Sequence, residues 1–455
     1  VTSIRLRETA LPDFGLPVEP PRIPPSTYER RCRAAYKAAG TRWLVVYGDR
    51  EHFANIIFLS GFDPRFEEAL LLLGPGDRRI IVAGNECVDY APLALLPGVE
   101  IVLAQSFGLM GQDRSRAPRL DDVLKQAGIR TGDGVALAGW KYLEPREWPG
   151  SLPTFFAPSF IVDVLRAIAG DAAAVSDATP VLMHPTEGLR AVIDADQIAL
   201  HEWAGARASS MLWSILSGVK IGDSEYAAMS RMTYEGEPFN VHPMLASGDA
   251  SSPVVGLRSP GMRRLKRGDG IVGAIGLWGG LSARGGLLSE ADDDFLKVAS
   301  TYYQGLVAWY ESADIGSEGG DIFAAVTEAL ARGGLRSALN PGHLTGYDEW
   351  VHSPIQPGYS GKITSGMPFQ VDIIPVPMRM GQALNCEDPV VFADQALRAE
   401  IAVRHPAVAQ RIARRRTFVS EGIGIDLKEA ILPLSSTPLC LAPFWLKPNL
   451  LLARN

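Results

Sequence analysis

His343 and His352 stand close together in the stretch GHLTGYDEWVHSP, and an imidazole titrates near neutral pH, so the pair can take or give protons. Asp348, Glu349 and Trp350 lie between them and are expected at the mouth of a cleft. Ser251 and Ser252 precede Pro253. A serine hydroxyl becomes a nucleophile only beside a base, and no GxSxG elbow accompanies these two, so Ser252 is expected to contact substrate rather than attack it. In the turn Phe62 to Glu68 two phenylalanines flank an arginine, a composition that suits an interface or pocket wall better than a solvated loop. Arg65 and Phe66 are therefore expected in such a wall. Cys32, Cys87, Cys386 and Cys440 are scattered, with no CxxC pair and no zinc spacing. They read as reduced thiols of a cytoplasmic protein.

The elements that must position these groups alternate between helix and strand. Ser26-Thr27-Tyr28-Glu29 reads as a capping box opening a helix that ends near Gly40. The run Trp43–Tyr47 reads as a strand, and Leu70–Leu73 and Arg79–Ala83 as a hairpin about Gly-Pro-Gly-Asp. Apolar segments at Glu100–Ala104, Gly134–Ala138 and Phe160–Leu165 complete a mixed α/β first domain, which carries no GxGxxG and no P-loop. From Ala191 to Leu216 the apolar residues fall at helical spacing. Helices are also expected from Ser224 to Gly236, Ala291 to Ser312, Gly320 to Gly333 and Ala393 to Arg416, the last with a solvated run Arg414-Arg415-Arg416. A strand is expected at Phe369–Pro375.

With 455 residues the chain is long enough for two domains, expected at 1–185 and 186–455. Six prolines in residues 11–25 predict an extended arm on the surface or on another subunit. Forty-four basic against 51 acidic residues give a net charge of −7, which offers polyphosphate nothing and argues against a nucleic-acid partner. No apolar run approaches a membrane span, and the first residues lack the apolar core of a secretory signal.

Six phrases occur in an order that resembles the pita-bread family of creatinase, prolidase, aminopeptidase P and the methionine aminopeptidases. They are the helical entry Leu189–Met229, SGDASSP (Ser247–Pro253), LKRGDGIVGAIGLWGG (Leu265–Gly280), NPGHLTG (Asn340–Gly346), SGMPFQVDIIP (Ser365–Pro375) and GIGID (Gly422–Asp426). The first half is similar to the creatinase-like N-terminal domain in position and in its FLSGF turn. The resemblance implies an α/β (α+β) fold, a pita-bread C-terminal domain behind a creatinase-like one, and a homodimer in which the partner's N-terminal domain, with Arg65 and Phe66, reaches the cleft.

Peptidases of that family hold two divalent metals on two aspartates, a histidine and two glutamates, and the metals lower the pKa of a bridging water. By the resemblance, Ala274 and Ala283 occupy the aspartate positions, His343 the histidine position, and Asp372 and Asp426 the glutamate positions, each a methylene, about 1.5 Å, shorter. The implied site has no metal and no other cofactor. Its catalytic groups are His343, His352 and Asp372, with Asp426 and Arg284 binding substrate. Creatinase also works without metal, but its catalytic histidine falls at Ser252 here and its glutamate near Gly285, which disfavours creatine. The expected function is metal-independent hydrolysis of a C–N bond in a small polar substrate or short peptide. A pseudoenzyme that binds a peptide or metabolite is the second reading, and a mononuclear Xaa-Pro-type metallopeptidase on His343, Asp372 and Asp426 the third.

Overall fold

A computed structural model describes residues 3–115 and 118–454. The chain forms two compact units, Ile23–Ala191, and Val1–Arg22 together with Val192–Asn455. The proline-rich arm thus belongs with the second unit rather than with the first domain. Three contacts hold it there: Trp203 Nε1 donates to the Val18 carbonyl at 3.1 Å, Arg207 to that of Pro17 at 3.1 Å, and Arg414 to that of Phe14. Phe14 is buried and meets Phe418 edge to face. Ahead of the arm, the strand Ile4–Glu8 pairs antiparallel with Leu450–Arg454, near the other end of the chain.

The unit Ile23–Ala191 is built on a six-stranded mixed sheet. Its strands run Glu100–Leu103, Arg78–Ala83, Ala69–Gly74, Trp43–Gly48, Val135–Ala138 and Val175–Asp177 in spatial order. The run Ala69–Leu73 is wholly buried, as an apolar central strand should be. Helices Leu120–Ala127 and Ser159–Ala169 contribute Val123, Leu124, Ile161 and Leu165 to the same core. The first helix, Pro25–Ala39, has no capping box: Pro25 opens it behind Pro24, and no side chain caps its amides. A proline at the first helical position has no N–H to satisfy, so the serine and glutamate are not needed.

In the other unit a seven-stranded antiparallel sheet carries the cleft. Its path is His343–Leu344, Pro368–Val371, Asn385–Phe392, Gly280–Leu287, Gly270–Leu277 and Met244–Gly248, with Ile431–Pro433 also pairing Asn385–Phe392. The helix Ala195–Gly218, capped by Asp194, packs on the strands Gly280–Leu287 and Gly270–Leu277 of this sheet. Their approach depends on paired glycines, since a Cβ on Gly280 would lie 3.0 Å from the Gly205 Cα. Helices Asp293–Ser312 and Gly319–Ala331 occur as the sequence predicts.

Four expectations need correction. The helix from Ser224 stops at Met229. The strand at Phe369 ends at Val371. The basic helix is two helices, Gln395–Arg404 and Pro406–Phe418, because Pro406 cannot continue the first. Nor is the arginine run a solvated face: Arg415 is fully buried and pairs with the buried Glu202 at 2.7 Å.

Candidate active site

The register of the seven-stranded sheet places one residue from each of four neighbouring strands in a row. Met244 pairs with Ala274, Ala274 with Ala283, and Ala283 with Glu387. Side chains alternate across a sheet, so this row shares one face. Asp372, just past the strand Pro368–Val371, follows the residue that pairs with Asp388 and so extends the row beyond Glu387. His343 comes from the next strand outward. The two alanines expected at the vacated aspartate positions therefore do sit beside the carboxyl groups, as methyls.

A cleft of about 480 Å³ opens on this face. Its walls include Val241, Met244, Val272, Leu281 and Leu384, and Glu349, Asp372 and Glu387 stand at its polar end. That volume suits a small organic molecule. The walls are more apolar than a small polar substrate would require.

His343 is fully buried. Its Nε2 pairs with Glu349 Oε1 at 2.9 Å, its Nδ1 lies 3.2 Å from the Leu344 carbonyl, and its ring stacks on Trp350 at 4.1 Å. Burial works against an imidazolium, but the Glu349 carboxylate, with Asp372 behind it, outweighs burial and raises the pKa. Both nitrogens stand beside acceptors, which favours the protonated ring.

Asp372 is pushed up to about 6, by burial and by Glu349, against the pull of His343. Its Oδ1 is buried and finds no hydrogen-bond partner among the described residues. Glu387 is driven well above the ordinary carboxylate range by burial and by the neighbouring Asp372 and Glu349 charges. One of its oxygens accepts from Gln370 Nε2 at 2.9 Å, and that amide also donates to the Leu281 carbonyl at 2.8 Å. Two adjacent buried carboxyls cannot both ionise readily, so near neutral pH one holds the charge and the other a proton.

The expected residues divide. His343 and Asp372 come together, joined by Glu349 and Glu387. Asp426 is exposed and accepts from Ser420, away from the cleft, and the carboxyl beside Ala283 is instead Glu387. Arg284 also leaves the site. It alternates with Ala283 onto the opposite face, where it is buried, chelates Asp388 at 2.8 and 2.9 Å and donates to the Cys440 carbonyl. Ser252 folds back on its own turn, its hydroxyl 3.1 Å from Asp249 Oδ1. His352 bridges to Leu344 through its backbone, and its side chain is not among the described residues that line the cleft. Arg65 and Phe66 belong to the other unit; Arg65 pairs with Asp63 at 2.9 Å and with the Tyr90 hydroxyl at 3.0 Å, and Phe66 is 73% exposed.

A bridged pair of metals does not fit these residues. Ala274 and Ala283 offer only methyls in the middle of the row, and His343 Nε2 is already paired with Glu349. His343, Glu349 and Glu387 do bring one ligand atom each within 4.8 Å of one another.

The fold is that of the pita-bread peptidases. Similar solved structures include an Xaa-Pro dipeptidase from Bacillus anthracis, 14% identical with a TM-score of 0.61, covering 82% of this chain and 96% of that one. Another is the prolidase from Pyrococcus horikoshii OT3, 14% identical with a TM-score of 0.62, covering 80% and 95%. The Pseudomonas aeruginosa aminopeptidase PepP is 14% identical with a TM-score of 0.59, covering 82% and 93%. No family model matches the chain, and no curated protein sequence does. Among the described residues no helix is long and apolar enough to cross a membrane.

Proposed function

We propose that this protein is a metal-independent hydrolase that cleaves a C–N bond in a small substrate, with Asp372 and Glu387 as its acid–base pair. The observation that carries the reading is the row itself: two buried carboxyls at the end of a cleft whose metal-bearing positions are Ala274 and Ala283. Asp372, ionised near neutral pH, takes a proton from water as the water oxygen attacks the carbon. Glu387, still protonated, gives its proton to the departing nitrogen as the C–N bond breaks. Transfer of the proton gained by Asp372 back to Glu387 restores the pair. His343 manages no proton in this scheme. Its cationic ring, fixed by Glu349 and Trp350, keeps Asp372 ionised.

The protein works in the cytoplasm as a homodimer, with Arg65 and Phe66 of one protomer at the cleft of its partner. The domains keep the division of labour expected for 1–185 and 186–455, apart from the displaced arm.

The test is a screen of small amides, ureas and guanidines, combined with elemental analysis after dialysis against manganese, cobalt and zinc. The expected result is turnover insensitive to chelator, metal well below one equivalent, and a loss in kcat of about 10²–10⁴ for Asp372→Asn or Glu387→Gln. One tightly held metal with chelator-sensitive cleavage would replace this reading by a mononuclear site on His343, Glu349 and Glu387, which their proximity favours. Ligand affinity without turnover on any substrate would make the protein a binding protein.

A further inference from the structure

The two alanines of the row shape a surface as well as a reaction. Ala274 and Ala283, with Met244 and Leu281, form one contiguous apolar cluster on the cleft floor. Val272 continues the wall inward, and Leu257, 77% exposed, stands at the rim. Glu387 lies next to Ala283, with Asp372, Glu349 and the His343 imidazole beyond it, so this side of the cleft has a formal surplus of negative charge. Two acceptors there are buried without a partner among the described residues, Asp372 Oδ1 and Asn385 Oδ1, in side chains 6% and 8% exposed. A buried acceptor left unpaired is costly, so a ligand that brings hydrogen-bond donors is favoured. Trp350, 39% exposed, adds an aromatic face at the same end.

We infer that the cleft takes an apolar monocation: a protonated nitrogen held by Asp372, Asn385 and Glu387, carrying a hydrocarbon body that lies over Ala274 and Ala283. The space of the former metal centre has become an apolar subsite. A carboxylate ligand is excluded by charge, and a compact polar ligand would leave the floor uncovered. The inference rests on the proposed reading of the carboxyl pair as the reactive end, and the cation is the amine that an N-alkyl amide would release there.

Titration calorimetry on the full chain tests it, with n-alkylammonium chlorides from ethyl to hexyl, the n-alkanols and the n-alkanoates of matching length. The ammonium ions are expected to tighten about three- to four-fold for each added methylene, as burial of a CH₂ predicts. Alkanols should bind at least ten-fold more weakly than the ammonium ions, and alkanoates not at all. Leu257→Ser, at an exposed position, should reduce the gain for the longest chains only. Asp372→Asn should weaken the ammonium ions about ten-fold and leave the alkanols unchanged. Equal binding of alkanoates, or affinity independent of chain length, overturns the inference. The two readings fail separately. Alkylammonium binding without hydrolysis of any N-alkyl amide removes the hydrolase and keeps the ligand class. Hydrolysis of polar ureas or guanidines without alkylammonium binding does the reverse.

Discussion

Asp372 sits folded at a pKa of about 6, against 3.8 for the free side chain. The raised value means that the folded protein holds a proton the unfolded chain would release. Its contribution to stability is therefore neutral below about pH 4, and the penalty grows between pH 4 and 6 and is complete above that. Asp372→Asn removes that penalty, so the variant is expected to be more stable than the parent at pH 8, by up to about 3 kcal/mol, and level with it at pH 4. A difference independent of pH in thermal melts would sink the assignment. The same titration predicts that turnover falls as pH drops through about 6, because the base is then protonated. At this scale the sequence is only half legible. Ala274, Ala283, His343 and Asp372 can be read because their phrases keep the order of glycines around them. Glu387 cannot, because Asn385-Cys-Glu-Asp-Pro389 has no glycine to mark it, whereas GIGID offers an acid in a familiar frame and lies elsewhere. Only register brings Glu387 beside Ala283. Glu349 belongs to a loop, and a loop's side-chain aim depends on contacts that residue types do not encode.

Opposite faces of one pair of strands serve different ends. Ala283 and Glu387 face the cleft, while their neighbours Arg284 and Asp388 form a buried ion pair behind it, completed by Thr437 and by Leu439 N. Asp388→Ala would strand the guanidinium without its anion, and the expected cost is about 3–5 kcal/mol, read from urea denaturation. A loss below about 1 kcal/mol would show that the pair does not hold the sheet together. Alternation predicts from sequence that Arg284 points away from Ala283, but not what meets it there, since Asp388 lies far along the chain. Gly285 is constrained in the same strand pair: a Cβ there would lie 2.7 Å from the Asn385 nitrogen. An acid at that position, as in creatinase, is sterically closed. Helices from Asp293 and Gly319 are legible because caps and spacing are local. The break at Pro406 is just as local, but a continuous run of basic and apolar residues hides it.

Across the whole molecule the least legible feature is the return of the first strand to the last. Ile4–Glu8 and Leu450–Arg454 carry no sign of each other, and strand pairing over such a distance is decided only by the folded core between them. Deleting residues 1–9 should leave Leu450–Arg454 without that partner and lower the melting temperature by roughly 5 °C. An unchanged melt would mean that the pairing adds nothing to stability. The division of the chain into two units is readable from its length. The placement of the arm is not, because prolines predict an extended conformation without saying what the extension lies on.

That closure has a consequence for how the protein is made. During synthesis Ile4 leaves the ribosome long before Arg454 exists, on the order of a minute earlier at ordinary elongation rates. Throughout that interval the leading strand has an unsatisfied edge, exposed to other nascent chains as well as to its own. The unit Ile23–Ala191 is fully translated while the strand waits. The cleft-bearing unit is completed only once Leu450–Arg454 has been translated, so a chain stalled before that strand would present an open strand edge to the cell's quality control.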